Sequence, residues 1–138
     1  MKSALDKLLD WYENLTPQNV ERVSEFYAAN ARFRDPFNNV VGIPAIQRIF
    51  EHMFESTVGP RFVIRQRMLQ DSQAFVTWTF EFELRGKHYT VEGASHIIFD
   101  DHSLVSIHRD YWDAAEELFQ KLPMVGGFFR LLRRRFSA

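Results

Sequence analysis

The chain has 138 residues, 46% of them hydrophobic and 25% charged, and no cysteine. That suits one soluble globular domain with a real core, and it excludes disulfides and Cys-ligated zinc or iron–sulfur centres. The net charge of −1 is uneven: Lys121, Arg130, Arg133, Arg134 and Arg135 stand in a tail without acids, leaving 12 basic against 18 acidic residues in the body.

An acidic body argues against nucleic acid as a partner of the main domain. No apolar run approaches the ~20 residues that span a bilayer. The N-terminal MKSALDKLLDWYENL is amphipathic and acid-containing, unlike a signal peptide, so the expected location is the cytoplasm. The 14 Phe and 3 Trp exceed what a small core needs and point to a lined pocket or an interface.

In chain order, Ser3 with Asp6 predicts a capped helix whose stripe is Leu5, Leu8, Leu9, Tyr12 and Leu15. Thr16-Pro17 opens a second helix with Val20, Val23, Phe26 and Tyr27 on one face. Ala31 to Asp35 alternates and stops at Pro36, which reads as a short strand, and Asn38-Asn39 reads as a loop. Gly42-Ile43-Pro44 opens a third helix with the stripe Ile46, Ile49, Phe50, Met53 and Phe54. From Arg61 the period changes to two. Residues 62–69, 74–84, 89–99 and 104–112 form four strands with short polar connectors, an antiparallel meander. Helices first and a meander afterwards make an α+β layout. Pro123-Met124-Val125-Gly126-Gly127 then separates a final basic, amphipathic helical tail, giving a domain over 1–122 and a tail over 123–138.

On the second meander strand Val76, Trp78, Phe80 and Phe82 share one face, with Thr77, Thr79, Glu81 and Glu83 on the other. The last two strands carry the chemistry. His96 shares a face with Glu92 and Ile98, and Asp110 shares one with His108 and Trp112. Tyr89, Val91, Ile97 and Phe99 lie opposite His96, so both faces of that strand need cover. A homodimer is the expected cover, with the chain's own tail as the alternative.

The order of elements and several local strings resemble the SnoaL-like group of the nuclear transport factor 2-like (NTF2-like) superfamily. The strings are Phe33-Arg34-Asp35-Pro36, Gly42-Ile43-Pro44-Ala45-Ile46 and Asp110-Tyr111-Trp112-Asp113, and the resemblance spans roughly Leu5 to Ala115. It implies a cone: three N-terminal helices packed in a strongly curved, mixed, mostly antiparallel sheet. The group includes polyketide cyclases, with ketosteroid isomerase and limonene-epoxide hydrolase as more distant relatives. In SnoaL-type cyclases a His and an Asp fourteen positions apart on the last two strands act at the reacting carbon. By that resemblance Asp110 is the general base and His96 orients or polarises the substrate. The implied function is to bind a small, largely apolar organic molecule in the cone cavity, with proton abstraction beside a carbonyl in a cyclase or isomerase type of reaction. A non-catalytic ligand-binding or dimeric interaction module is the alternative.

Further pocket candidates are Asp35, Tyr12, Tyr27, Glu92, Trp78, Phe80 and Trp112. Each has a plainer role beside it. Asp35 would cap the turn at Pro36 and Asn38, the tyrosines would pack in the core, and Glu92 would pair with His88 or Arg85. Asp110 would pair with Arg109 or Arg67, and the aromatics would be ordinary core. An Asp–Arg–Asp water site of the epoxide-hydrolase type would need Arg67 beside Asp35 and Asp110, but no Arg-x-Asp lies on a central strand. No cofactor and no metal are implied: the five His lack compact ligand spacing except His96, His102 and His108 across the hairpin, and two of these are expected to be exposed. The tail, with Val125, Phe128, Phe129, Leu132 and Phe136 opposite its arginines, reads as a lid or dimer element, or as a weak contact with a membrane surface or partner protein.

Overall fold

The computed structural model describes residues 2–113. The expected tail, and with it the boundary at 122, lies outside the described residues. Helix α1 (Ala4–Glu13) starts as the sequence predicts: Ser3 Oγ accepts from the Asp6 N–H at 3.1 Å, and the Asp6 carboxylate accepts from the Ser3 N–H at 3.2 Å. It buries Leu5, Leu8, Leu9, Trp11 and Tyr12. Helix α3 (Ile43–Ser56) enters through Gly42 and Pro44 and buries Ile46 and Phe50.

The second helix departs from expectation. The segment is a 3-10 turn (Asn19–Arg22) followed by a single α turn, α2 (Val23–Phe26). Tyr27, assigned to the helical stripe by its spacing, opens strand β1 (Tyr27–Arg34) instead. The reason is non-local: β1 pairs in parallel with β6 (Val105–Tyr111) from Tyr27 opposite Val105, and that ladder satisfies backbone groups that a longer helix would have occupied. Asn39–Val41 is also a strand, β2, not loop, because Asp35 to Asn38 forms a tight turn that returns the chain antiparallel to β1.

Strands β3 (Val58–Gln70), β4 (Gln73–Leu84), β5 (Lys87–Phe99) and β6 form the expected meander. The sheet order is β2-β1-β6-β5-β4-β3, antiparallel except between β1 and β6. Helix α3 packs on β1 and β2 at one edge and on β3 at the other. A flat sheet cannot offer both edges to one helix, so the sheet curls around it. Irregularities in the β3–β4 and β5–β6 registers supply part of that curvature. The helices fill the concave side, and the space they leave against the sheet becomes the site.

The β4–β5 hairpin settles which residues face inward. Arg85 and Gly86, both at positive φ, make a two-residue turn. Val76 then lies opposite Ser95, Trp78 opposite Gly93 and Phe80 opposite Val91. Directly opposed residues share a face, so Val91, Gly93, Ser95 and Ile97 join the aromatic inner wall. Glu92 and His96 point outward. The outer face exposes Val41, Met68, Phe75, Ile107 and Tyr111.

Candidate active site

The concave side encloses a cavity with a free volume of about 100 Å³, lined almost wholly by apolar groups. Strand β4 contributes Val76, Trp78, Phe80 and Phe82, β5 contributes Val91, Ser95 and Ile97, and helix α3 closes over them with Ile49, Phe50, His52 and Met53. The polar groups converge from β1 and β6 as Asp35, His108 and Asp110. An apolar cavity of roughly 150 Å³ accommodates benzene, so this space suits a group of about one ring.

Asp110 is the centre of a continuous hydrogen-bond chain. Its Oδ1 accepts from His108 Nε2 at 2.6 Å and from Ser95 Oγ at 2.5 Å, and Ser95 Oγ in turn accepts from the Trp78 indole N–H at 2.8 Å. On the far side of the imidazole, His108 Nδ1 lies 2.6 Å from the Tyr27 hydroxyl and 3.0 Å from that of Tyr12, and the two hydroxyls bond each other. Burial raises the pKa of both tyrosines, so both stay protonated. The imidazole's Nε2–H points at Asp110. Ser95 donates its hydroxyl to the carboxylate, so it helps to hold Asp110 in place. Asp110 Oδ2 has no hydrogen-bond partner among the described residues and is not sealed from solvent, and the Asp110 side chain lines the cavity.

Asp35 combines the two roles that the sequence left open. Its Oδ1 accepts from the N–H groups of Phe37 (2.8 Å) and Asn38 (2.7 Å), and the side chain also lines the cavity. Burial pushes its pKa up to about 6, the charge of Asp110 adds to the rise, and the turn's donors oppose it. Because the folded value lies above the unfolded one, the folded state holds more protons between about pH 4 and 6, and stability falls as pH rises through that window. Asp35→Asn keeps the acceptor and removes the charge. The variant is expected to gain about 2 kcal/mol over the unaltered protein on going from pH 4.5 to pH 7, measured by urea unfolding at both. A difference that does not change with pH would contradict this.

The other candidates divide between the faces. Tyr12, Trp78, Phe80 and Trp112 line the cavity, and Trp112 packs edge-on against Phe37 with centroids 5.5 Å apart. Tyr27 is fully buried and reaches the site through His108 and Tyr12. Glu92 is exposed on the outer face, opposite Thr79. His96 also stands on the outer face, correcting the expectation that it meets Asp110: its ring stacks on Phe75 at 4.3 Å and its Nε2 bonds Gln73 Oε1 at 2.8 Å. The reason is register, since Ser95, not His96, is the residue opposite Asp110. Arg67 pairs with Asp6 at 2.5 Å, which removes the Asp–Arg–Asp arrangement with Asp35 and Asp110.

Spacing alone passed over two site residues, Ser95 and His108. Both were within reach, His108 by sharing Asp110's parity and Ser95 by lying two positions from Ile97 on the apolar face. His52 is a third, on the α3 stripe side. Burial holds its imidazole below the usual pKa, and its Nε2 is buried without a partner among the described residues.

Residues 8–107 match the model of the SnoaL-like domain family. No curated protein matches the chain. Among solved structures, the chain is similar to a hypothetical protein with a ketosteroid isomerase-like fold from Catenulispora acidiphila DSM 44928, in complex with trimethylamine. The TM-score is 0.73 at 15% identity, over 84% of this chain and 92% of that one. A protein of Jannaschia sp. CCS1 assigned as a SnoaL-like polyketide cyclase gives a TM-score of 0.70 at 14% identity, over 82% and 87% of the two chains. An epoxide hydrolase of M. tuberculosis, LEH-like, gives a TM-score of 0.70 at 15% identity, over 94% and 92%. At these identities the likeness is one of fold, an NTF2-like α+β architecture.

Proposed function

This chain belongs to the SnoaL-like domain family, and on that footing we propose that its cavity binds a small, largely apolar carbonyl compound from which Asp110 removes a proton. The observation that carries the reading is the arrangement of that carboxylate. One oxygen is fixed by His108 and Ser95, the other has no partner among the described residues, and the side chain lines an apolar cavity. A base so held needs little reorganisation when a C–H group is presented to it.

In the proposed step Oδ2 of Asp110 takes a proton from the carbon beside the carbonyl. The C–H electron pair moves into the new C=C bond, and the carbonyl oxygen becomes an enolate. Return of the proton to another carbon is an isomerisation; attack of the enolate carbon on a second carbonyl, whose oxygen takes the C=O electron pair and then the proton held by Asp110, is a cyclisation. Asp110 keeps its Oδ1 contacts in either protonation state, so the base stays aimed throughout. The similarity to a SnoaL-like polyketide cyclase supports the reaction class. The cavity volume supports a substrate of about one ring.

The test is exchange of the protons beside the carbonyl of cyclohexanone and related cyclic ketones in heavy water, followed by NMR with the purified protein. Exchange above the buffer rate is expected. Ser95→Ala, which removes a donor to Asp110, is expected to lower it about tenfold, and His96→Ala to leave it within about twofold. No exchange with any ring-sized ketone would overturn the catalytic reading. A larger loss with His96→Ala than with Ser95→Ala would overturn the assignment of residues.

A further inference from the structure

At the shared end of β1 and β6, a groove is lined by Arg34, Arg109 and Tyr111, together with Asp35, Asp110 and Trp112. The last three also line the cavity, so the groove and the cavity meet at the candidate base. Arg34 and Arg109 are direct partners across the parallel pair, two like charges side by side. Such a pair is destabilising unless an anion sits between its members.

Neither arginine has an ion-pair partner among the described residues, whereas Arg22, Arg48, Arg61 and Arg67 each hold a carboxylate. The Arg109 guanidinium is held in place over the Tyr111 ring, 4.6 Å from its centroid. Two neighbouring guanidinium groups, one of them held by an aromatic ring, match the flat, two-oxygen geometry of a carboxylate.

We propose that Arg34 and Arg109 form an anion subsite that takes the carboxylate of the ligand, while the ligand's ring and carbonyl enter the cavity beside Asp110. The inference rests on the carbonyl-compound reading and narrows it to carboxylate-bearing substrates. The subsite sits on the convex side of the strand ends and Asp110 on the concave side, so a bound molecule bends over the end of the sheet. That geometry selects ligands with the acid and the carbonyl at opposite ends.

The experiment compares two probes on the purified protein: cyclohexanone bearing a carboxylate on the ring carbon opposite the carbonyl, and the matching neutral carboxamide. Affinity is read by calorimetry, and cavity occupancy by the Trp78 indole N–H resonance. The carboxylate is expected to bind about tenfold more tightly, with the preference weakening as salt is raised. Arg34→Gln with Arg109→Gln is expected to bring the two probes within about twofold while leaving the carboxamide affinity unchanged, and Arg34→Gln alone to give an intermediate ratio. Equal affinities in the unaltered protein, with the Trp78 resonance shifting, would overturn the subsite and leave the cavity reading standing. A Trp78 resonance that moves with neither probe would overturn the cavity reading, and the subsite with it.

Discussion

Asp110→Asn is expected to lower the ketone exchange rate by about 10³-fold, within the range that a positioned general base contributes. Asparagine is nearly isosteric, and its carbonyl oxygen still accepts from His108 Nε2 and Ser95 Oγ, the two bonds that the aspartate makes. The Tyr12, Tyr27 and His108 part of the chain is untouched. Stability is therefore expected to stay within about 1 kcal/mol and probe affinity within a few-fold, since His108 and Ser95 keep their acceptor and the new amide N–H groups stand where Oδ2 already met solvent. What disappears is the acceptor at Oδ2, replaced by an amide that cannot take a proton. Exchange that survives in a folded Asp110→Asn variant would remove Asp110 as the base.

Gly93→Ala is expected to be the most damaging single methyl group in the structure. Gly93 lies directly opposite Trp78, and a Cβ at this position would stand 2.4 Å from Cη2 and 2.6 Å from Cζ2 of the indole. The ring has little room to give way. Its edge meets Phe62 at right angles, with centroids 5.7 Å apart, and its N–H is tied to Ser95. Overpacking of this kind costs about 1–3 kcal/mol, and an indole N–H pulled from its acceptor adds about 1–3 more. A loss of about 2–6 kcal/mol by urea unfolding is therefore expected, with a smaller cavity and weaker ketone binding in whatever remains folded. In a Trp78→Leu background the same substitution should cost much less, because the clash is with the ring. Equal costs in both backgrounds would show that Gly93 matters for its backbone alone.

The predictions turn on faces, and the faces were only partly legible. The order of helices and strands, the α1 cap, the α3 entry and the aromatic wall of β4 follow from local spacing, and the structure carries them. The inner face of β5 needed one more step. A two-residue turn at Arg85-Gly86 fixes the hairpin register, places Val76 opposite Ser95 and Phe75 opposite His96, and so puts His96 outside. The polar pattern of Glu92 and His96 drew attention because titratable groups look chemical, but Val91 and Ile97 carried the better signal for burial.

Other features were out of reach of spacing. The register shift between β5 and β6 near Phe99 depends on how the sheet curls, and it decides that Ser95 rather than His96 meets Asp110. Tyr27 fits a helical stripe as well as a strand, and only its parallel partner, far along the chain, chooses between them. His108 could be read as sharing Asp110's face. Its bond to two buried tyrosines from separate elements is a tertiary fact that no local pattern announces.

The central claim is that a carbonyl compound sits in the cavity with its acidic C–H against Asp110. A crystal structure of the protein with a ring-sized ketone tests it most directly. The account predicts the ketone between β4 and α3, with the carbon beside its carbonyl about 3–3.5 Å from Asp110 Oδ2 and His96 on the far side of the sheet. A ketone bound on the outer face, or in the cavity with its carbonyl turned away from Asp110, would contradict it.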